Sequence, residues 1–179
     1  MFELNYCPQC GSKLEKKFLK NEGEIPYCKQ CADFRFPIFS TAVSMIVMNE
    51  QHDRVILIKQ YGRDSYILVA GYVNKGEDAE AACARELLEE LHLHAKSLSF
   101  NRTHYFAPSN TLMLNFTVTV DEQEVVQANE EVDAWQWMSV PEARASIRPN
   151  SLAQQFLEGS LTGEYHFSKQ NQAIQPPKN

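Results

Sequence analysis

Between residues 41 and 140 the chain consists of short apolar, β-rich runs broken by polar turn residues, and one longer stretch changes period. Residues 41–48 and 54–60 read as strands joined by the polar turn 49–53. Residues 66–72 read as a third strand, 97–106 and 111–120 as two more flanking Ala107-Pro-Ser-Asn110, and 132–140 as the last. The change of period falls at residues 78–91, which lack Gly and Pro and are rich in strong helix formers. Ala84, Leu87, Leu88 and Leu91 recur there at i, i+3, i+4 and i+7, predicting a helix that buries this stripe. Pro141 at a first helical position opens a short helix. Asn150 or Ser151 caps another, which runs through Glu158 and stops at Gly159. The tail from Gln170, with Pro176-Pro177, reads as disordered.

The polar face of the predicted helix carries the first chemistry. Glu86, Glu89 and Glu90 stand at i, i+3 and i+4, a spacing at which like charges cost a helix roughly 0.2–0.5 kcal/mol per pair. A hard divalent cation taking carboxylate oxygens removes that cost. A solvated acidic face is the plain alternative. The Gly71-Tyr-Val-Asn-Lys-Gly-Glu77 loop upstream, with Arg85 just ahead of the glutamates, favours the cation.

Composition narrows the picture. A length of 179 residues suits one main domain with a small appendage, and 44% hydrophobic residues is ordinary for a globular chain. A net charge of -6 argues against a broad footprint on a phosphate backbone. The chain opens without a signal-peptide pattern, and no apolar run reaches membrane-spanning length, so a cytoplasmic protein with no membrane partner is expected. Cys7-Pro-Gln-Cys10 and Cys28-Lys-Gln-Cys31, 17 residues apart, read as a tetrathiolate zinc ribbon whose metal is structural. Gly11 permits the tight turn after the first pair. Cys83, on the helix, reads as a small core residue. The expected organisation is a ribbon over 1–36, a main domain over 37–167 and a disordered tail over 168–179. Lys13, Lys16, Lys17, Lys20, Lys29 and Arg35 nearly balance Glu3, Glu15, Glu22, Glu24 and Asp33, so the ribbon lacks the basic face of a DNA binder.

The run from Gly71 to Leu93 resembles the Nudix box, G-x5-E-x7-R-E-U-x-E-E-x-G-U with U aliphatic. Gly71, Glu77, Arg85, Glu86, Leu87, Glu89, Glu90 and Leu93 match, and His92 stands where the family has Gly. That Gly closes the helix in a left-handed conformation, so a slightly strained helix end is expected. The resemblance implies an α/β fold, the Nudix α/β/α sandwich with a mixed sheet, here preceded by the ribbon. It also implies a pyrophosphohydrolase acting on a nucleoside diphosphate linked to another moiety. Glu86, Glu89 and Glu90 would be catalytic carboxylates for Mg²⁺ or Mn²⁺, with the carbonyl of Ala70 as a further ligand. Glu77 and Arg85 would pair to brace loop against helix. A late carboxylate is expected from Glu131, with Glu130 the fallback.

A ribbon directly before such a domain is similar to the NADH pyrophosphatase branch, whose members also hydrolyse NAD⁺ and remove NAD caps from RNA. Phe36-Pro37, Tyr72 and Pro149-Asn-Ser-Leu-Ala153 stand at positions where that branch contacts substrate. Its S-Q-P-W-P-F-P-x-S-L-M element corresponds to residues 103–113, Thr-His-Tyr-Phe-Ala-Pro-Ser-Asn-Thr-Leu-Met, which keep two hydroxyls, an aromatic and Leu-Met but lose the Gln and most prolines. Phe36, Tyr72, His104, Phe106, Thr111 and Ala153 are thus the expected substrate contacts. The leading expectation is cleavage of NADH or NAD⁺ to two mononucleotides. NAD-capped RNA is a further candidate substrate, and a homodimer a candidate assembly. Hydrolysis of ADP-ribose or of a modified nucleoside triphosphate is the alternative, and a nucleotide-binding regulator without turnover is a reading of a different class.

Overall fold

A computed structural model describes residues 4–164; the expected tail lies outside the described residues. The chain groups into two compact units, one running to Thr41 and including Tyr105–Leu112, the other holding Ala42–His104 and continuing from Met113.

In the first unit, β1 (Glu15–Leu19), β2 (Gly23–Cys28) and β3 (Asp33–Phe34) form an antiparallel sheet in that order. Its apolar interior is thin. Up to Thr41, the fully buried side chains among the described residues are those of Cys7 and Cys28. Tyr27 meets Phe34 edge-on at 5.0 Å, and Lys17 Nζ lies 3.9 Å from the centre of the Tyr27 ring. Such a module cannot offset its own chain entropy by hydrophobic burial. Residues 105–112 join this unit through Asn110, whose Nδ2 donates to the carbonyl of Ile38 at 2.9 Å and whose backbone oxygen accepts from the Ser40 amide at 3.0 Å.

The second sheet contains β4 (Ser40–Met48), β5 (Arg54–Gln60), β6 (Val69–Tyr72), β7 (Ser97–Phe106), β8 (Thr111–Thr119) and β9 (Val132–Ser139), ordered β7-β8-β4-β5-β9 with β6 also on β4. β4 pairs antiparallel with β5 and β6, and β5 with β9. β4 and β8 run in the same direction. Ser40 bonds Asn110 at their starts, Asn115 Nδ2 donates to the Ser44 carbonyl in the middle, and the Val120 amide donates to the Met48 carbonyl at their ends. The sheet is therefore mixed. The turn between β4 and β5 is held by Asn49, whose Oδ1 accepts from the amides of Asp53 and Arg54.

Alternate residues of the central strands enter two separate cores. Val43, Met45, Val47, Ile56 and Ile58 pack with Cys83, Leu87 and Leu91 of α1 (Ala79–Leu91). Ile46, Met48, Val55 and Leu57 pack with Ala143 of α2 (Val140–Ser146) and Phe156 and Leu157 of α3 (Leu152–Leu161). This is the α/β/α sandwich. Each fully buried Leu or Phe stabilises it by about 1.5–3 kcal/mol.

Four local expectations are corrected. Ala84 is exposed and Leu88 is 39% exposed; the buried side of α1 instead runs through Ala82, Cys83, Leu87, Glu90 and Leu91, because the helix is rolled to carry Glu90 inward. Cys83 is in the core as expected, and burial pushes its thiol up to about 12. The third strand pairs regularly only from Val69, with Tyr66 and Ile67 making isolated bridges. Pro141 follows Val140 rather than opening α2, where Ser139 and Glu142 form a capping box. α3 continues through buried Gly159 to Leu161, so Gly159 does not stop it; Ser151 caps its start.

His92 ends α1 at φ 57° and ψ 34°, its amide donating to the carbonyl of Leu88 at 3.0 Å. A left-handed residue with a Cβ is strained. His92→Gly is expected to raise stability by about 1 kcal/mol, read as an increased urea midpoint at constant m-value.

Candidate functional site

Arg85, on the outer face of α1, binds three carboxylates and a carbonyl. Its Nε and Nη2 donate to Glu77 at 2.8 and 2.9 Å, its Nη1 to Glu86 at 2.7 Å and Glu89 at 2.9 Å, and its Nη2 also to the Tyr72 carbonyl at 2.9 Å. Glu77 accepts a further bond from the Asn74 amide at 2.9 Å. The Arg85 guanidinium and that amide hold the Glu77 carboxyl down at about 2, so it stays ionised as the loop-to-helix brace.

Gly71 is required by space. A Cβ there would stand 1.9 Å from Glu86 Cδ and 2.2 Å from its Oε1, so the Glu86 head group occupies the volume a side chain would fill. The obstructing atoms belong to the free end of a flexible chain, and Gly71 has an ordinary backbone. Gly71→Ala is therefore expected to leave the unfolding free energy, read by urea denaturation, within about 0.5 kcal/mol of wild type, yet to displace Glu86 and cut metal-dependent turnover at least about tenfold.

Glu90 differs from its neighbours. It is 3% exposed, and its Oε1 accepts from Gln60 Nε2 at 2.9 Å while its Oε2 has no partner. Burial pushes its pKa up to about 7, and the charges of Glu86, Glu131 and Glu89 add to the rise. A buried, unpaired carboxylate oxygen costs at least about 1–3 kcal/mol. Under the charges of three further carboxylates, it offers the oxygen chemistry that a hard divalent cation takes, and the residue types fit one.

Glu131 reaches this cluster from the loop before β9. The Asn129 amide donates to the Glu90 carbonyl at 3.0 Å, and Asn129 Oδ1 accepts from the Glu131 amide at 3.0 Å, pinning the loop to the end of α1. Tyr61 Oη donates to Glu131 Oε2 at 2.9 Å. Glu130 and Glu131 are both exposed, and the charge of Glu131 is among the largest influences on Glu90. Ala70 lies in β6 opposite Ser44, one residue before Gly71. Gln60, Tyr61 and Asn129 carry no motif, and the sequence reading missed them. Gln60, a buried polar residue closing the strand after the apolar run 55–58, was the one available signal.

The expected substrate residues divide between the units. Tyr72, 59% exposed, follows Gly71; His104 packs edge-on against Phe156 at 6.4 Å, and Ala153 packs on the α2–α3 core. These three belong to the second unit, whereas Phe36, Phe106 and Thr111 belong to the first. Phe36 and Phe106 are exposed. Thr111 is 1% exposed and its hydroxyl is engaged by Ser109.

The four N-terminal thiols converge. All four sulfurs lie within 4.8 Å of one another, with Cys10–Cys28 at 3.5 Å and Cys7–Cys31 at 3.9 Å. Four sulfurs at a Zn–S distance of ~2.3 Å stand about 3.8 Å apart in a tetrahedron, so the residues fit zinc. Although desolvation raises the Cys7 thiol, Arg35 Nε donating to it at 3.3 Å and nearby amides bring it down to about 6. Hydrogen bonding with Cys10, then burial, pushes Cys31 up to about 12. Thiols this crowded cannot all ionise without a cation among them.

Residues 39–157 match the family model of the NUDIX domain. The chain belongs to the Nudix family. Among similar curated proteins, the NAD-capped RNA hydrolase NudC of Vibrio parahaemolyticus is 26% identical over 162 residues, covering 89% of this chain and 60% of that protein. NudC of Stutzerimonas stutzeri is 28% identical over 156 residues, covering 86% and 54%. The chain thus spans little more than half the length of these relatives. A Nudix hydrolase from Nitrosomonas europaea superposes with a TM-score of 0.60 at 18% identity, covering 89% of this chain and 94% of that one. The E. coli dihydroneopterin triphosphate pyrophosphohydrolase gives 0.57 at 21%, covering 71% and 99%. At these identities the structures bear on the Nudix fold alone. None of the described helices is long and apolar enough to cross a membrane.

Proposed function

We propose that this Nudix chain is a Mg²⁺- or Mn²⁺-dependent pyrophosphohydrolase that cleaves the diphosphate of NADH or NAD⁺ into two mononucleotides. The observation that carries the proposal is the buried Glu90 carboxylate, with one oxygen unpaired and the charges of Glu86, Glu89 and Glu131 acting on it. When bound, the divalent ion supplies positive charge to the diphosphate oxygens. Glu86, Glu89, Glu90 and Glu131 hold it, with the Ala70 carbonyl as a further ligand. Arg85 and Glu77 fix the loop and helix that carry them. Water adds to one phosphorus, the bridging P–O bond breaks, and each product leaves as a monophosphate. Tyr72 offers an exposed ring for stacking on a base, with Phe36, Phe106, His104 and Ala153 as further contacts. Zinc at Cys7, Cys10, Cys28 and Cys31 is structural.

Dinucleotide chemistry is supported by the names of the NudC relatives, and NAD-capped RNA is the corresponding larger substrate. We further assign the ribbon to residues 1–36, the hydrolase domain to 37–167, a homodimeric assembly and a cytoplasmic location. One observation favours a different substrate such as ADP-ribose or a modified nucleoside triphosphate: Thr111, a retained position of the 103–113 element, is buried with its hydroxyl engaged.

The test is to incubate the zinc-loaded protein with Mg²⁺ and NADH, with ADP-ribose in parallel, and separate the products. Reduced nicotinamide mononucleotide plus AMP, formed faster than ADP-ribose is consumed, is the expected result. Preferential cleavage of ADP-ribose would assign the alternative, and no turnover of any nucleotide would leave a binding regulator.

A further inference from the structure

Three consecutive residues at the end of β5 each donate a hydrogen bond to a different carboxylate. Gln60 Nε2 donates to Glu90 on α1 at 2.9 Å, Tyr61 Oη to Glu131 at 2.9 Å, and the Gly62 amide to Asp133 Oδ2 at 2.6 Å. In a regular strand Gln60 and Tyr61 would point to opposite faces. Here the β5–β9 register shifts between Lys59 and Gln60, and Tyr61 adopts φ 56°. The distortion re-aims both side chains onto the acidic cluster, the use to which irregular strand ends beside functional sites are put.

The chemistry of each donor matters. Gln60 is 6% exposed and neutral, so it orients Glu90 without cancelling its charge, and by occupying Oε1 it leaves Oε2 as the free donor. A lysine there would satisfy the carboxylate and compete with a cation. Tyr61 is largely exposed, and its hydroxyl restrains the carboxylate of a loop residue whose amide donates to Asn129.

We propose that Gln60 and Tyr61 are positioning residues that pre-set Glu90 and Glu131 for the divalent cation, Gln60 selecting which oxygen of Glu90 faces it. This rests on the metal reading above and extends it from the box to the strand end behind it. Each acts through the carboxylate it holds. Outer hydrogen-bond partners of metal ligands are commonly worth 10–100-fold in affinity.

The test uses the full-length, zinc-loaded chain and Mn²⁺ as the probe, with free Mn²⁺ followed by its electron paramagnetic resonance signal. Gln60→Met, which keeps the length and removes the donor, is expected to weaken Mn²⁺ binding roughly 10–100-fold. The same change in a Glu90→Gln background is expected to weaken it no further. Tyr61→Phe removes one exposed hydroxyl, leaves the fold untouched, and is expected to weaken binding several-fold. If Gln60→Met does not fold, Tyr61→Phe decides. Wild-type Mn²⁺ affinity in both variants, with affinity lost in Glu90→Gln, overturns the inference and leaves the metal site standing. Wild-type affinity in Glu90→Gln as well removes the site and the inference together.

Discussion

Glu90→Gln is expected to lower metal-dependent hydrolysis roughly 10³-fold or more while stabilising the magnesium-free fold. The activity loss follows from removing one ionised ligand where several kcal/mol of charge stabilisation are delivered, each 1.36 kcal/mol being about tenfold in rate. The stability gain has the same origin. Glutamine keeps an oxygen for Gln60 to bond and carries no charge among Glu86, Glu89 and Glu131. Burial raises the folded Glu90 from its ordinary 4.5 to about 7. Between those values the folded chain retains a proton that the unfolded chain has released. Stability of the wild type therefore falls as pH rises through that window and levels off above it. The advantage of the glutamine variant should be absent near pH 4.5 and reach about 1–3 kcal/mol at pH 8, measured by urea denaturation without added divalent ion. An advantage that shrinks as pH rises, or turnover within tenfold of wild type, contradicts the assignment.

Cys28→Ser should produce the second large effect. Cys28 is fully buried, its sulfur lies 3.5 Å from that of Cys10, and it accepts from the Cys31 amide at 3.4 Å. With so little apolar burial in the first unit, zinc held by the four thiols would be its principal source of stability, worth about 10 kcal/mol in such modules. Bound zinc, measured by elemental analysis, should fall to background. Trypsin cleavage at Lys16, Lys17 and Lys29 should accelerate by roughly two orders of magnitude. The far-ultraviolet signal of α1 and α3 should persist, because residues 43–157 hold both larger cores. Zinc retained at wild-type content would refute the tetrathiolate.

The sandwich was readable because its signals are local. Period-2 and period-3.6 runs, the polar turn at 49–53 and the spacing of the box each identify an element without knowledge of its neighbours. The αL end at His92 was legible for the same reason, since the family's glycine marks a backbone conformation. What failed was tertiary. Ala84 and Leu88 have the right spacing for a core stripe, but α1 is rolled so that Glu90 goes inward, and a carboxylate is not counted as core. Gly159 looks like a helix stop in isolation, yet it is buried inside α3, where lacking a side chain suits packing. Gln60, Tyr61 and Asn129 act through partners 30, 70 and 39 positions away or through a bulge, and no short-range pattern encodes either.

The division of the chain into units has an evolutionary side. The carboxylates and their supports lie on α1, the end of β5 and the loop before β9, all in the unit that begins at Ala42. Residues 105–112, within the element that departs from the NADH pyrophosphatase pattern, group with the ribbon. A change of sequence at that hairpin tip therefore falls in the other unit and leaves the supports of the carboxylates, Gln60, Tyr61, Arg85 and Asn129, as they are.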